Sequence, residues 1–463
     1  MKILLVNPPV FRDKNSSIRE ITLRERLFLQ TEKMINNQKY SRFFLKTLEK
    51  IHAKTFTGSL YGNRAGSRWP ETFVSDIGLS WNYPYIMALT TSYLRKNGFE
   101  AKMMDCVAAH LHSYKKFFSK VKKEKADIVI IETTTTTIDI DIYCAKEISK
   151  YSKVALAGPH ITPQTINDLK KNSFISFFLM GEYISSALKI AQNGEEGVYK
   201  SEPVKDFDSL PFMARDFSGS TTYFDMTVNC PKPMLYMFGS KGCPFNCTYC
   251  LWPASMFSRT CTLRSPENII AEIKENLEKY PYKSIYFDDD TWNVGVERIS
   301  KLCDMLKEIG LPWSMMGRLD CSPDWLFDKM VECGCKGMRF GVETFNVDVL
   351  KKINKKLERI DIQKTLEHLS ESFPELNIHI CMMKNLPGQT EEIHQEDMRI
   401  IKELGFTTND LSKRFYQLSS CVPFPGTELY KELETKFGKE KIEKWNMYDG
   451  SKETIMTLVG KNL

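Results

Sequence analysis

The sequence predicts an α/β protein in two parts: a doubly wound, Rossmann-like parallel sheet, then a partial (β/α)6 barrel of the TIM type. Three observations predict it. Short aliphatic runs alternate with segments of helical apolar spacing through most of the chain. Those runs are continuously apolar, as strands of a parallel sheet covered on both faces must be. At 463 residues the chain is also too long for one ordinary core.

The first series starts at once. Ile3–Val6 is a strand stopped by Asn7-Pro8-Pro9. Tyr85 to Asn97 has helical spacing and ends at Gly98, and Glu100–Met104 is a short strand ending at Asp105. Asp127–Ile131 runs as a strand into Glu132 and five threonines, Thr133 to Thr137. Val154–Ala157 is halted by Gly158-Pro159-His160, and Phe174–Met180 by Gly181-Glu182 with a helix beyond. Ligands of such sheets lie at the carboxyl ends of the strands. Asn7, Asp105, Thr134 with its neighbours, Gly158 and Gly181 all fall there, which makes them the candidate binding edge of residues 1–200.

Residues 11–78 break this rhythm, with 13 Lys and Arg and apolar positions such as Leu27, Phe28, Phe43, Phe44 and Leu45. A basic helical insertion is expected, either a solvated excursion or else a lid, or a dock for an anionic or lipid-like substrate. Overall charge is mild: 64 Lys and Arg against 58 Asp and Glu leave +6, too little to argue for nucleic acid. No apolar run is long enough to span a bilayer, and the opening Met1–Pro9 lacks the small-residue cleavage site of a signal peptide. A cytoplasmic location is expected. The 13 cysteines then read as reduced thiols, most of them small buried hydrophobes.

Residues 201–232 are the expected linker, with no clear period in Asp206–Arg215 around Pro211. A second series fills 233–430, with strands expected at Leu235–Gly239, Ser284–Phe287, Trp313–Gly317, Gly337–Val342, Asn377–Met383 and Phe415–Ser419. Ser265-Pro266 and Ser322-Pro323 each read as an N-cap followed by proline at the first helical position. Thr390-Glu391-Glu392 opens another helix with acids in its first turn. Six strand–helix repeats make about three quarters of a TIM barrel, and 431–463 is left as a C-terminal extension.

The chemistry is concentrated in Gly242-Cys243-Pro244-Phe245-Asn246-Cys247-Thr248-Tyr249-Cys250. Three thiolates within eight residues, directly after the first barrel strand, can wrap one metal centre. A 4Fe–4S cube normally takes four thiolates, so three leave one iron open to a substrate or cofactor. Zinc would more typically pair CxxC with a second pair of Cys or His, and no compact pair follows closely; Cys261 stands eleven residues beyond Cys250. Cys333 and Cys335, around Gly334, read better as buried thiols at a helix end than as a second metal site.

CxxxCxxC with an aromatic, Tyr249, before the last Cys resembles the radical S-adenosylmethionine (SAM) superfamily, over nearly the whole second half. The resemblance implies a 4Fe–4S cluster on Cys243, Cys247 and Cys250, with SAM chelating the open iron. It also implies reductive cleavage of SAM to a 5′-deoxyadenosyl radical, fed by an external electron donor such as flavodoxin or ferredoxin. Tyr286-Phe287-Asp288-Asp289-Asp290 stands where the family places groups near the methionine end of SAM. Arg318 and Asp320 follow the third strand, where a carboxylate partner or pocket wall is implied. Gly341-Val342-Glu343-Thr344 resembles the Gly-x-Glu-Ser signature near the SAM ribose. Leu386-Pro387-Gly388-Gln389-Thr390 resembles a Leu-Pro-Gly-Glu-Thr turn, with Gln389 where Glu is usual, and Pro423–Tyr430 resembles the segment after the sixth strand. Tyr249, Asp288, Asp289, Arg318 and Glu343 are thus the implied SAM-binding residues. Plain alternatives stay open: Asp288–Asp290 could cap a helix, and Pro-Gly segments are often simply turns.

The first half narrows the resemblance. A doubly wound domain, then Leu210-Pro211-Phe212-x-Ala214-Arg215, then such a barrel is similar to the cobalamin-binding radical SAM class. Asn7-Pro8-Pro9, Gly158-Pro159-His160-x-Thr162-Pro163 and Gly181-Glu182 match it loosely. The stretch from Tyr249-Cys250-Leu251-Trp252-Pro253 to Arg264-Ser265 looks like members acting on hopanoid lipids. Asn7, Thr134, Gly158 and Gly181 would then line the cobalamin edge. Asp105–His110 does not form the Asp-x-His-x-x-Gly pattern, so no lower His on cobalt is implied, and Ala157 stands where a second glycine is common. The expected function is cobalamin-dependent methylation of an unactivated carbon of a small-molecule or lipid-like substrate. The rivals are cyclisation, rearrangement or carbon–carbon coupling without methyl transfer, tRNA modification, and a corrinoid and Fe–S sensor.

Overall fold

The structure, a computed structural model, describes residues 1–13, 18–27, 59–61, 80–201, 203–228, 230–408, 410, 413–450 and 453–459. The chain divides into two compact units, Met1–Glu202 with Pro211–Thr222, and Pro203–Leu210 with Tyr223–Leu463. The stretch expected as a linker is therefore shared between the two cores. Most of the basic insertion, including Phe28, Phe43, Phe44 and Leu45, lies outside the described residues. Within it the short strands Phe11–Asp13 and Ser59–Tyr61 pair antiparallel.

The first unit is built on six parallel strands: β1 Lys2–Asn7, β2 Glu100–Asp105, β3 Ile128–Glu132, β4 Lys153–Ala157, β5 Phe177–Met180 and β6 Gly197–Lys200, in the order β2-β1-β3-β4-β5-β6. The aliphatic runs of β1 and β3 lie out of solvent along almost their whole length, as strands covered on both faces should. The predicted strand at Phe174 begins three residues later because Phe174 sits in a turn. Strand β6 was not foreseen. It is an edge strand whose residues alternate between half-buried and exposed, so it carries no apolar run.

From β1 the chain moves to β2 on one side and then returns to β3 on the other. The gap between the ends of β1 and β3 is thus the topological switch point, the usual ligand crevice of an open α/β sheet.

The second unit carries β7 Met234–Met237, β8 Ser284–Phe287, β9 Trp313–Gly317, β10 Cys335–Glu343, β11 Asn377–Lys384 and β12 Arg414–Ser420. Each pairs parallel with the next, and among the described residues nothing joins the last strand to the first. This is the partial barrel. Arg339 on β10 reaches Tyr286 on β8 at 3.4 Å, past the strand between them, so both point into the interior. Arg339 also pairs with Asp225 at 2.8 Å and donates to His379 Nδ1 at 2.8 Å. Ser314 Oγ donates to the Val228 carbonyl at 2.9 Å, so the segment before β7 closes the amino-terminal end of the barrel. The opposite end is left for chemistry.

The helix signals mostly hold. Ser265 accepts from Asn268 N with Pro266 at the start of its helix, and Thr390 accepts from Ile393 N. At Ser322-Pro323 the reading needs correction. Pro323 itself is the N-cap, at φ −70° and ψ 160°, and the helix opens at Asp324 without a side-chain cap. After β12 the tail returns: Ser420 N donates to the Gly450 carbonyl at 2.7 Å, and Thr454 Oγ1 to the Cys421 carbonyl at 2.7 Å. Among the described residues no helix is long and apolar enough to cross a membrane.

Candidate active site

The cysteine loop leaves β7 through a small hairpin in which Ser240–Gly242 pairs antiparallel with Cys261–Leu263. Gly242 turns the chain at φ +73°, and a Cβ there would run into the Thr260 carbonyl, so glycine is required. Beyond it the loop is strapped from two sides. Thr248 N donates to the Ile353 carbonyl at 3.0 Å and Asn354 Nδ2 to the Asn246 carbonyl at 2.9 Å. Leu429 N donates to the Thr248 carbonyl at 3.1 Å, from the Pro423–Tyr430 segment picked out in the sequence. A loop held at three points presents its thiols in a fixed arrangement.

Cys243 Sγ lies 3.1 Å from Thr291 Oγ1. Burial, followed by the neighbouring thiols of Cys247 and Cys243, pushes the Cys250 thiol well above its ordinary range. Among the described residues no three His, Cys, Asp or Glu side chains converge as they would on one metal ion. A cube sets each thiolate on a different iron and so holds its sulfurs farther apart than a single ion does. Three thiols on one anchored loop match the ligand count of a cube that keeps one iron open.

The implied SAM residues gather at the same mouth, with different tasks. Glu343 ends β10 at φ +71°, where the register with β11 shifts between Gly341 and Glu343. Such a bulge re-aims a side chain, and a non-glycine residue held in this region is strained. Its carboxylate takes the Lys355 ammonium at 2.8 Å and the Tyr249 hydroxyl. Arg318 donates to both oxygens of Asp320 at 2.8 Å and to the Lys355 carbonyl at 2.6 Å. Its guanidinium lies 3.6 Å over the ring of Phe245, inside the cysteine loop, so it braces that loop by a cation–π contact. Asp289 accepts from Gly239 N at 3.1 Å and Ser240 Oγ at 2.6 Å, which ties it to the entry of the loop. Asp288 is fully buried at the end of β8. The next helix starts at Val296 with Gly295 as N-cap, so none of the three acids caps it.

Gln389 explains its own departure from the family pattern. Its amide donates to Asp397 Oδ2 and to the Met383 carbonyl, both at 3.1 Å. Asp397, whose acidity burial weakens, also holds Thr344 Oγ1 and Phe345 N beside Glu343. A glutamate at 389 would face that carboxylate with no donor to offer.

Sequence reasoning missed Lys355, Asn354 and Thr291. Lys355 sits in Lys351-Lys352-Ile353-Asn354-Lys355-Lys356, which looks like any solvated basic turn, yet it is only 6% exposed. Its sole sequence signal is position, one short helix beyond Gly-x-Glu.

In the first unit, Asn7, Thr134, Gly158 and Gly181 come to the carboxyl ends of β1, β3, β4 and β5. Asn7 is 1% exposed at the switch point, and its Oδ1 has no hydrogen-bond partner. Gly158 turns at φ +106°, and a Cβ there would lie 2.6 Å from the Thr133 carbonyl oxygen. The threonines bond among themselves, Thr134 Oγ1 lying 3.0 Å from Thr136 Oγ1, while His160 Nδ1 is 3.1 Å from Thr135 Oγ1. Burial lowers the His160 pKa to about 3, which keeps the ring neutral. The methyl of Ala157, where a second glycine is common, is fully out of solvent and lines no open crevice. An orphaned buried amide oxygen at the switch point, on the same sheet edge as the Gly158 turn, suits a large polar ligand such as cobalamin.

Comparison with known proteins decides the second unit. Residues 237–401 match the radical SAM superfamily. They form a radical SAM domain. The matched stretch contains the cysteine loop and the ends of β8 through β11. Over 75% of this chain and 78% of its own length, an uncharacterised methyltransferase of Pyrococcus horikoshii is 25% identical. A bacteriochlorophyllide d C-8(2)-methyltransferase of Chlorobaculum tepidum is 24% identical over 70% of this chain and 71% of its own. The radical SAM methyltransferase TsrM of Kitasatospora setae, solved with cobalamin and a 4Fe–4S cluster bound, superposes with a TM-score of 0.59 at 14% identity, covering 76% of this chain and 72% of its own. At that identity the likeness is one of fold: a radical SAM domain preceded by an α/β domain.

Proposed function

We propose that the chain is a cobalamin-dependent radical SAM methyltransferase acting on an unactivated carbon of a small-molecule or lipid-like substrate. The observation that carries this is the anchored loop of Cys243, Cys247 and Cys250 at the open end of the barrel, preceded by a switch-point crevice with an unsatisfied Asn7. When bound, the cluster and SAM supply a 5′-deoxyadenosyl radical that abstracts hydrogen, and the corrinoid supplies the methyl group.

The chain's own residues bind, orient and exclude. Cys243, Cys247 and Cys250 would hold the cluster and leave one iron free for SAM, with Thr291 Oγ1 3.1 Å from Cys243 Sγ. Tyr249, hydrogen-bonded to Glu343, would form a polar wall for SAM with it, and Asp288 is buried at the end of β8. Arg318 and Asp289 keep the loop in place. Asn7, Thr134, Gly158 and Gly181 would shape the corrinoid edge, the glycines by turning the chain at positive φ where the strands end. Electrons come from an external donor such as a flavodoxin or ferredoxin.

Related methyltransferases of 24 to 25% identity favour methylation over ring formation or coupling. The test is to reconstitute the chain anaerobically with iron, sulfide and hydroxocobalamin, then supply methyl-labelled SAM and a reductant. Label on the bound corrinoid is expected. Retained iron and corrinoid with no label on the corrinoid would sink the methylation reading.

A further inference from the structure

Resting on that reading, we propose that Lys355 is a positioning residue of the SAM site, fixing the Glu343 carboxylate at the barrel mouth and placing a buried positive charge beside the cysteine loop. Four observations converge. Lys355 is 6% exposed, and its Nζ lies 2.8 Å from Glu343 Oε1. Room for the pair is made by Gly341, where a Cβ would lie 2.7 Å from that oxygen and 2.9 Å from Nζ. The residues on either side, Asn354 at φ +54° and Lys356 at φ +68°, are both left-handed, so the backbone is bent to deliver this one side chain inward. The segment is also part of the loop's anchorage, through Ile353 O to Thr248, Asn354 to Asn246, and Lys355 O to Arg318.

A mere stability role accounts poorly for this arrangement. Buried ion pairs are often no better than apolar residues of the same size, so strain on both flanks is a poor exchange for stability alone. The field of the ammonium reaches Cys247 as well as Glu343. Cluster-bound thiolates and the Glu343 carboxylate concentrate negative charge, and Arg318, whose field also reaches Cys247 and Cys243, is already committed to Asp320. A fixed positive charge there favours the reduced, more negative cluster and so raises its potential.

The test compares Lys355→Met, Lys355→Gln and Lys355→Arg with wild type, each reconstituted anaerobically and checked for iron content. Two quantities are read: SAM affinity by equilibrium dialysis, and the midpoint potential by EPR-monitored titration. Lys355→Met should bind SAM roughly tenfold more weakly, the scale of one lost charge-assisted hydrogen bond, and be harder to reduce. Lys355→Arg should restore both towards wild type. Lys355→Met leaves Glu343 buried without its cation; if it fails to fold, Lys355→Gln carries the test, since it keeps a donor for Glu343 and removes only the charge. Its potential should fall too. A loaded Lys355→Met or Lys355→Gln with wild-type affinity and potential overturns the inference alone. A wild-type chain that takes up no cluster overturns the functional reading and this inference together.

Discussion

Gln389 and Asn7 show how single residues at the two sites trade stability against function. Gln389→Glu replaces an amide donor with a second carboxylate facing Asp397, whose pKa burial already raises. An acid whose folded pKa lies above its unfolded value costs stability as pH rises through the folded pKa. The variant should therefore lose about 2 kcal/mol at pH 8 and markedly less near pH 5, where one carboxyl is protonated and donates. Melting curves at the two pH values check this; a pH-independent loss would show that the pair is not electrostatic. Asn7→Leu removes an amide whose Oδ1 is unsatisfied, so stability without cofactor should stay within about 1 kcal/mol of wild type. Corrinoid retained through gel filtration should fall. Undiminished retention would remove Asn7 from the corrinoid edge.

The cysteine spacing was the most legible part of the site, because three ligands fall in one local segment and need no tertiary knowledge. Lys355 was hidden for the opposite reason. A lysine in a basic turn is solvated unless a distant strand end supplies a carboxylate, and only the fold brings Glu343 to it. Arg318 and Asp289 were placed at the mouth by their strand ends, but their engagement with Phe245 and with Gly239 and Ser240 is tertiary.

Among the elements, strand β10 matters most. Its register shift turns Glu343 into the left-handed region, and Gly341 leaves the space that the ion pair fills. Gly341→Ala should push the pair apart, costing about 1–3 kcal/mol as an overpacked core does. SAM affinity should weaken with it. An alanine variant with unchanged melting temperature and affinity would mean that the pair has slack to move. Strand existence was readable wherever both faces are buried, as in β1 and β3, since such runs are apolar throughout. Edge strand β6 escaped for want of that run. At Ser322-Pro323 both residues suit a helix start, and which one caps is decided by the backbone at Pro323, already extended at ψ 160°.

At the scale of the whole molecule, both units keep neutral histidines inside. His160 is held near pKa 3 by burial, and His379, buried beside Arg339, lies well below its ordinary value. Both regain an ordinary pKa near 6.5 on unfolding. The unfolded chain therefore binds more protons below about pH 6.5, and stability falls progressively as pH drops from there through about 3. Urea midpoints should decline from pH 7 to pH 5, and less steeply in His160→Gln. Equal slopes would mean that His160 already protonates in the folded chain. The fold class was legible throughout because parallel strand–helix repeats write their pattern locally. The insertion at 11–78 has no such pattern, and most of it lies outside the described residues.

One measurement bears most directly on the whole reading: quantifying 5′-deoxyadenosine and S-adenosylhomocysteine after the reduced, cluster- and cobalamin-loaded chain is incubated with SAM. Wild type should form both, and Cys247→Ala, lacking one of three cluster ligands, should form no 5′-deoxyadenosine. No 5′-deoxyadenosine from a wild type with full iron content, or equal amounts from Cys247→Ala, would contradict radical SAM chemistry at this site.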